Sequence, residues 1–156
     1  MARVHRPSLF FLTAALVLIL DQASKFFVRN LLAHTGPVEL IPGFFRLVRV
    51  WNPGVAFGLF AEHSAWGRYL FLLLSLGAVG VFYYLSRRGR SPWVCGLIAG
   101  GALGNLVDRL FYGKVFDFLD FYWKNYHWPA FNLADAAISV GVILFLLQGF
   151  SSPSPK

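Results

Sequence analysis

"PAFNLADAAISVGVILFLLQGF", residues 129–150, reads as a membrane-spanning helix with a carboxylate inside it. Asp135 stands among Phe, Leu, Ala, Ile and Val, where an ionised side chain costs about 2.5–3.5 kcal/mol at the helix centre on insertion scales. Such a helix needs a chain that supplies a partner for the carboxylate, or a use for it. The rest of the chain suits a membrane. Its 156 residues are 57% hydrophobic and 13% charged, with a mean hydropathy of +0.59. Those values exclude a disordered or ordinary soluble protein and indicate a multi-pass membrane protein. Seventeen Phe and five Trp suit lipid-facing surfaces and interfacial belts. A formal charge of +7 would suggest nucleic acid in a soluble domain, but the placement of Lys and Arg has another explanation, and no nucleic-acid partner is expected. The lone Cys95 lies in an apolar run and reads as a small packing residue.

Four apolar runs have the right length: about 8–28, 66–86, 93–112 and 131–150. At 1.5 Å per residue each covers roughly 30 Å, the thickness of a bilayer core. The short tails and the 87–92 loop hold Arg3, Arg6, Arg87, Arg88, Arg90 and Lys156 with no acid. The longer loops, 29–65 and 113–130, mix their basic residues with acids. The excess of Lys and Arg therefore puts both termini and 87–92 in the cytoplasm and the longer loops outside. A cleaved leader is the other reading of the first run, but no small-x-small site follows it, and Asp21 and Lys25 would be lost with it. The expected architecture is a four-transmembrane-helix bundle, one integral membrane domain over 1–156 with a disordered tail, 151–156. The outer loop 29–65 holds "VELIPGFFRLVRVWNPGVAFGLF", whose Val, Phe and Leu broken by Pro-Gly and Asn-Pro-Gly predict two or three short strands on the membrane surface. "AEHSAW" (61–66) is expected to add a helical turn.

Polar residues gather at one level. Gly96, Gly100 and Gly104 form a small-residue stripe that lets another helix approach; packing accounts for them, but not for Asn105, Asp108 and Arg109 one turn later. Asp108 and Asp135 each lie four residues from the outer end of their span, about 6 Å deep, and Asp21 lies seven residues from the end of the first, roughly 10 Å deep. Asp117 follows the third span by five residues. The inner halves of all four spans carry no charge. Asp21 and Lys25 are i,i+4, and Asp108 can reach Arg109 or Lys25, so these acids have structural partners at hand. Asn132, Asp135 and Ser139 share one face of the last span and are expected to look into the bundle. Asp117 and Asp135 are the acids without evident partners; capping a helix or binding a backbone amide is the structural alternative for each. Asp120 reads as a solvated loop residue.

Two carboxylates in a partly desolvated site do not both ionise easily; they share a proton, giving a general base beside a general acid. That pair can deprotonate water and protonate a leaving amine without a metal or cofactor, and neither is expected. His5, His34, His63 and His127 show no metal-ligand spacing, and no phosphate loop or Cys/His dyad is present.

Five motifs, "DQASK" (21–25), "NPGVAFG" (52–58), "GGALGNLVDR" (100–109), "GKVFDF" (113–118) and "FNLAD" (131–135), stand in the order and spacing of lipoprotein signal peptidase, and over about 8–150 the chain resembles that family of bacterial inner-membrane aspartyl proteases. The resemblance implies four helices, a small extracytoplasmic β-cradle and a periplasmic helix. It implies Asp117 and Asp135 as the catalytic aspartates, with Asp21, Lys25, Asn52, Gly54, Asn105, Asp108, Arg109 and Asn132 binding substrate or supporting the site. It implies cleavage of prolipoprotein substrates just before a cysteine carrying diacylglycerol, in contact with membrane lipid; the expected assembly is a monomer. Nothing is carried over for "LDFYWKNYHWPA" (119–130). A small ion or proton transporter subunit is the rival reading, but it calls for charge near the midplane with paths to both sides. A lipid-modifying transferase would need metal or phosphate ligands that the chain lacks.

Overall fold

This computed structural model describes residues 7–54 and 65–150. Four helices form where the apolar runs lie: α1 (Pro7–Thr35), α2 (Ala65–Arg87), α3 (Pro92–Tyr112) and α4 (Leu133–Phe150). Three stretches, Ser8–Thr35, Tyr69–Arg87 and Pro92–Tyr112, are long and apolar enough to cross a membrane, and Leu133–Gly149 is a shorter apolar helix. Two boundaries differ from expectation. α1 does not stop at 28 but continues to Thr35, so the outer loop starts later than 29. Nothing in "VRNLLAHT" breaks a helix; the break is Gly36, at φ 69, whose N–H returns to the Leu32 carbonyl at 3.3 Å, followed by Pro37. α4 starts at Leu133 rather than 131, because Phe131 pairs with Leu119 in an isolated bridge. The expected strand continuation past 54, most of the helical turn over 61–66 and the tail 151–156 lie outside the described residues.

α3 is the central helix. Its apolar window is 67% buried, against 17% and 6% for those of α1 and α2, and it packs on α1, α2 and α4. The glycine stripe makes this possible. A Cβ at Gly100 would stand 2.7 Å from the Ala14 carbonyl oxygen of α1, and one at Gly101 would stand 2.5 Å from the Ala134 carbonyl oxygen of α4. Helix backbones therefore touch on two sides of α3, with dispersion rather than water exclusion holding them. Cys95 is fully buried beside Phe10 and Ala99, a packing residue as read from its surroundings.

The sheet runs β1 (Val38–Ile41), β2 (Phe45–Asn52), β3 (Val115–Trp123) and β4 (Tyr126–His127), in that order and antiparallel throughout. The first two strands are those expected from 29–65, joined by a turn at Pro42-Gly43. The third comes from the connection between α3 and α4. "VFDFLDFYW" is rich in the aromatic and branched residues that pack well on a pleated surface, and it pairs with β2 from Phe45↔Phe121 to Asn52↔Val115. Its partner strand makes Asp120 something other than a solvated loop residue. Asp120 is 5% exposed, lies opposite Arg46 in the ladder, and accepts from Arg46 Nε at 2.7 Å, with His127 Nδ1 at 3.0 Å. Burial opposes its ionisation, but His127 and Arg46 outweigh that and hold its carboxyl below the usual range.

Candidate active site

Lys25 is the hub of the buried polar level. Its ammonium stands 2.8 Å from Asp21 Oδ2, 3.0 Å from Asp108 Oδ2 and 3.3 Å from Asn105 Oδ1, so its three protons are all taken. Each of the two paired acids also grips backbone. Asp21 Oδ1 accepts the Ala134 N–H at 2.9 Å, next to Asp135 at the start of α4. Asp108 Oδ2 accepts the Phe116 N–H at 2.9 Å, next to Asp117 on β3. One cation on α1 thus ties together the two elements that carry the other two acids. Asp108 pairs with Lys25, not with its neighbour Arg109.

α4 begins with a reciprocal cap. Asn132 Oδ1 accepts the Asp135 N–H at 2.9 Å, and Asp135 Oδ2 accepts the Asn132 N–H at 3.3 Å. "FNLAD" is therefore a capping box with Asp in the place usually held by Glu or Gln. The structural alternative for Asp135 is realised, yet it uses only one oxygen: Oδ1 takes an amide proton from Asn105 at 2.7 Å. Asn132 also reaches sideways, giving Nδ2–H to Asp117 Oδ1 at 2.7 Å and to Asn105 Oδ1 at 3.1 Å. Asp117 Oδ2 accepts from Asn52 Nδ2 at 3.0 Å. Among the described residues Asn132 is thus the one asparagine bonded to both acids, while Asn105 holds Asp135 and Asn52 holds Asp117.

Asp117 is 1% exposed. Burial pushes its carboxyl up to about 6, the Asp135 charge adds to the rise, and the amides of Asn52 and Asn132 oppose it. A carboxyl near neutrality beside a second carboxylate, both oriented by neutral amides, is the composition of an acid–base pair.

Asn52 owes its orientation to the turn that follows: its Oδ1 accepts the Gly54 N–H at 2.8 Å. Gly54 has φ 84, and a Cβ there would meet Phe71 Cε2 at 2.7 Å, so both backbone conformation and space require glycine. The Arg109 guanidinium lies over the same Phe71 ring, 4.9 Å from its centroid, close enough to Asp135, Asp117 and Asp108 to feel their charge. Its Nε is buried and has no hydrogen-bond partner among the described residues. Arg109 is thus a cation at the edge of the pair rather than part of a salt bridge among the described residues.

All ten residues singled out from the sequence fall in this one region; Ser139 does not. It is exposed, because Ala134, Ile138 and Gly141 form the face of α4 that meets α3. One contributor was missed. Gln22 Nε2 lies 3.1 Å from Asp108 Oδ1, 3.1 Å from the Gly104 carbonyl and 3.2 Å from Asp21 Oδ2. Its mark was an uncharged polar side chain inside an apolar span. The described residues hold no group of three or more His, Cys, Asp or Glu placed to bind a metal ion.

The chain matches a family model described as Signal peptidase (SPase) II over residues 13–151. It is 46% identical over 149 residues to a protein of Aeromonas hydrophila named lipoprotein signal peptidase, covering 92% of this chain and 89% of that one. A protein of the same name from Nitratidesulfovibrio vulgaris is 44% identical, covering 92% and 90%. A solved structure described as a bacterial membrane enzyme, obtained in meso at 1.9 Å resolution, superposes with a TM-score of 0.77 at 27% identity, covering 92% of this chain and 94% of that one.

Proposed function

The chain belongs to the signal peptidase II family, and from that premise we propose that Asp117 and Asp135 are its catalytic pair. The protein is a multi-pass membrane protease that removes signal peptides from prolipoproteins. One observation supports the pair above all: Asp117 is buried and raised to about 6 beside a second carboxylate, and no cation among the described residues is bonded to either. In the reaction the ionised carboxylate takes a proton from water as the oxygen attacks the scissile carbonyl carbon. The protonated partner gives its proton to the carbonyl oxygen. Collapse of the tetrahedral diol then returns that proton to the pair and delivers the other to the leaving nitrogen. The C–N bond breaks, leaving a carboxyl-ended signal peptide and a free amine on the mature protein. Asn52, bonded to Asp117, supplies an amide donor for the substrate backbone, and Arg109 stands as a cation close to both acids.

The same reading takes 1–156 as one integral domain with four spans, α4 being the short fourth one. It puts both termini in the cytoplasm and the pair near the outer face of the bacterial inner membrane, an orientation supported by the arginine-rich, acid-free 87–92 loop. The scissile bond reaches that level when the substrate is held in the bilayer, by its signal helix on one side and by diacylglycerol on the cysteine on the other. The test is processing of a prolipoprotein by purified Asp117→Asn and Asp135→Asn variants, each checked for folding by its thermal transition. Both are expected to be folded and inactive. Turnover at the parent rate by either would overturn the assignment.

A further inference from the structure

At the end of the bundle remote from the carboxylates, α2 passes into α3 through a short turn with Gly89 at φ 89. The turn is tied down: the Arg88 N–H returns to the Tyr84 carbonyl at 3.0 Å and the Arg90 N–H to the Leu85 carbonyl at 3.1 Å. It carries Arg87, Arg88 and Arg90. Two of these guanidiniums rest on aromatic faces, Arg88 over Tyr84 at 5.1 Å and Arg90 over Phe145 at 4.9 Å. None of the three joins an ion pair among the described residues, whose salt bridges involve Lys25, Arg46 and His127 alone as cations. The described acids, Asp21, Glu39, Asp108, Asp117, Asp120 and Asp135, all belong to the outer level or the sheet. Arg87 and Arg88 are exposed and Arg90 is half-buried, so four residues carry three positive charges with no counter-charge among the described residues.

We propose that the 87–90 turn is a binding site for the phosphodiester headgroups of acidic phospholipids. Guanidinium forks match phosphate oxygens in pairs, and stacking on Tyr84 and Phe145 fixes their direction before binding. The flanking aromatics point to a lipid rather than a free anion. Tyr84 is 54% exposed and Trp93 40%, amphipathic rings at the depth where headgroups meet acyl chains. The exposed apolar faces of α2 and α4 on either side, Val81 and Leu147 among them, offer ground for the acyl chains. Three basic groups near an anionic surface correspond to a preference of roughly a hundredfold over a zwitterionic lipid at low salt.

The full-length protein in nonionic detergent is titrated with dioleoylphosphatidylglycerol, dioleoylphosphatidylcholine or inorganic phosphate, and bound lipid is read by native mass spectrometry. The parent protein should retain phosphatidylglycerol at least tenfold better than phosphatidylcholine. The Arg87→Gln/Arg88→Gln/Arg90→Gln variant should lose that preference while cleaving substrate in detergent at the parent rate, since 16 residues of α3, about 24 Å, separate Pro92 from Asp108. Independently of any variant, thermal stabilisation of the parent by phosphatidylglycerol should shrink when salt rises tenfold. Equal retention of the two lipids, an undiminished preference in the triple variant, salt-independent stabilisation, or full displacement by millimolar phosphate would each overturn the proposal.

Discussion

Lys25→Met removes the one cation that Asp21 and Asp108 share. The ammonium lies 2.8 Å and 3.0 Å from those carboxylates, with the three side chains 4%, 0% and 3% exposed. Removing one partner of a buried ion pair costs about 3–5 kcal/mol, because the remaining charge is left without compensation; here two such charges remain. For a chain of this size 1 kcal/mol moves the melting temperature by about 2–4 °C, so the variant should melt about 6–20 °C lower in detergent. The loss has a specific consequence for the reaction. Asp108 holds the Phe116 N–H and Asp21 holds the Ala134 N–H, so loosening either moves Asp117 or Asp135. Below the new melting temperature kcat on a prolipoprotein should therefore fall more than KM rises. Adding Asp108→Asn deletes one uncompensated charge and keeps an acceptor for the Phe116 N–H, and the double variant should regain more than 1 kcal/mol over Lys25→Met. A single variant within about 1 kcal/mol of the parent at full turnover, or a double variant whose losses simply add, would refute the hub.

Gly101→Ala should destabilise by about 1–3 kcal/mol or more by thermal melt, since its Cβ would lie 2.5 Å from the Ala134 carbonyl oxygen. Gly80→Ala, with nothing within 4 Å, should instead be neutral or gain up to about 1 kcal/mol. Asp117, raised from 3.8 to about 6 when folded, binds its proton more tightly in the folded state. Its contribution to stability is therefore fully present below about pH 4 and lost as pH rises through 6, by about 3 kcal/mol; Asp117→Asn should flatten that part of the profile. With the Asp135 charge gone, the Asp117 titration followed by carboxyl ¹³C shifts in Asp135→Asn should move down while staying above 3.8, because burial is the larger cause. Precursors identical except for diacylglycerol on the cysteine should differ strongly in kcat/KM, each buried methylene contributing about 0.8 kcal/mol to anchoring; equal values would mean that the lipid is not read.

The helices were legible because a bilayer demands about twenty apolar residues in a row, and few other things produce such runs. The end of α1 was not, since Val28 to Thr35 suits a helix equally well inside or outside the lipid. β3 was hidden for a different reason. Val115, Phe116, Asp117 and Phe118 are all buried, so the strand is covered on both faces and has no alternation to reveal it; its partner β2 lies more than sixty residues away. Asp120 was misread with it, since its burial depends on Arg46 standing across the ladder. At the site, charge inside an apolar span was signal enough to collect Asp21, Asp108 and Asp135, and Asp117 joined them by following the third span by five residues. What separates them structurally, the amide protons of Phe116 and Ala134, belongs to the backbone and leaves no mark in a sequence.

That separation has a chemical use in the proposed pair. A general acid must keep a proton at the pH where the enzyme works, and a cation bonded to the pair would drive both members to ionise. Lys25 lies one residue away through Asn105, but Asp21, Asp108 and Asn105 occupy all three of its protons. Asn105, Asn132 and Asn52 then carry the geometry outward to Asp135 and Asp117 as neutral amides. A neutral amide fixes where a carboxylate oxygen points while stabilising its charge far less than an ammonium does. Exchanging Asn105 for Lys would therefore be a more damaging change for catalysis than for folding: the site would gain an ion pair and lose its proton.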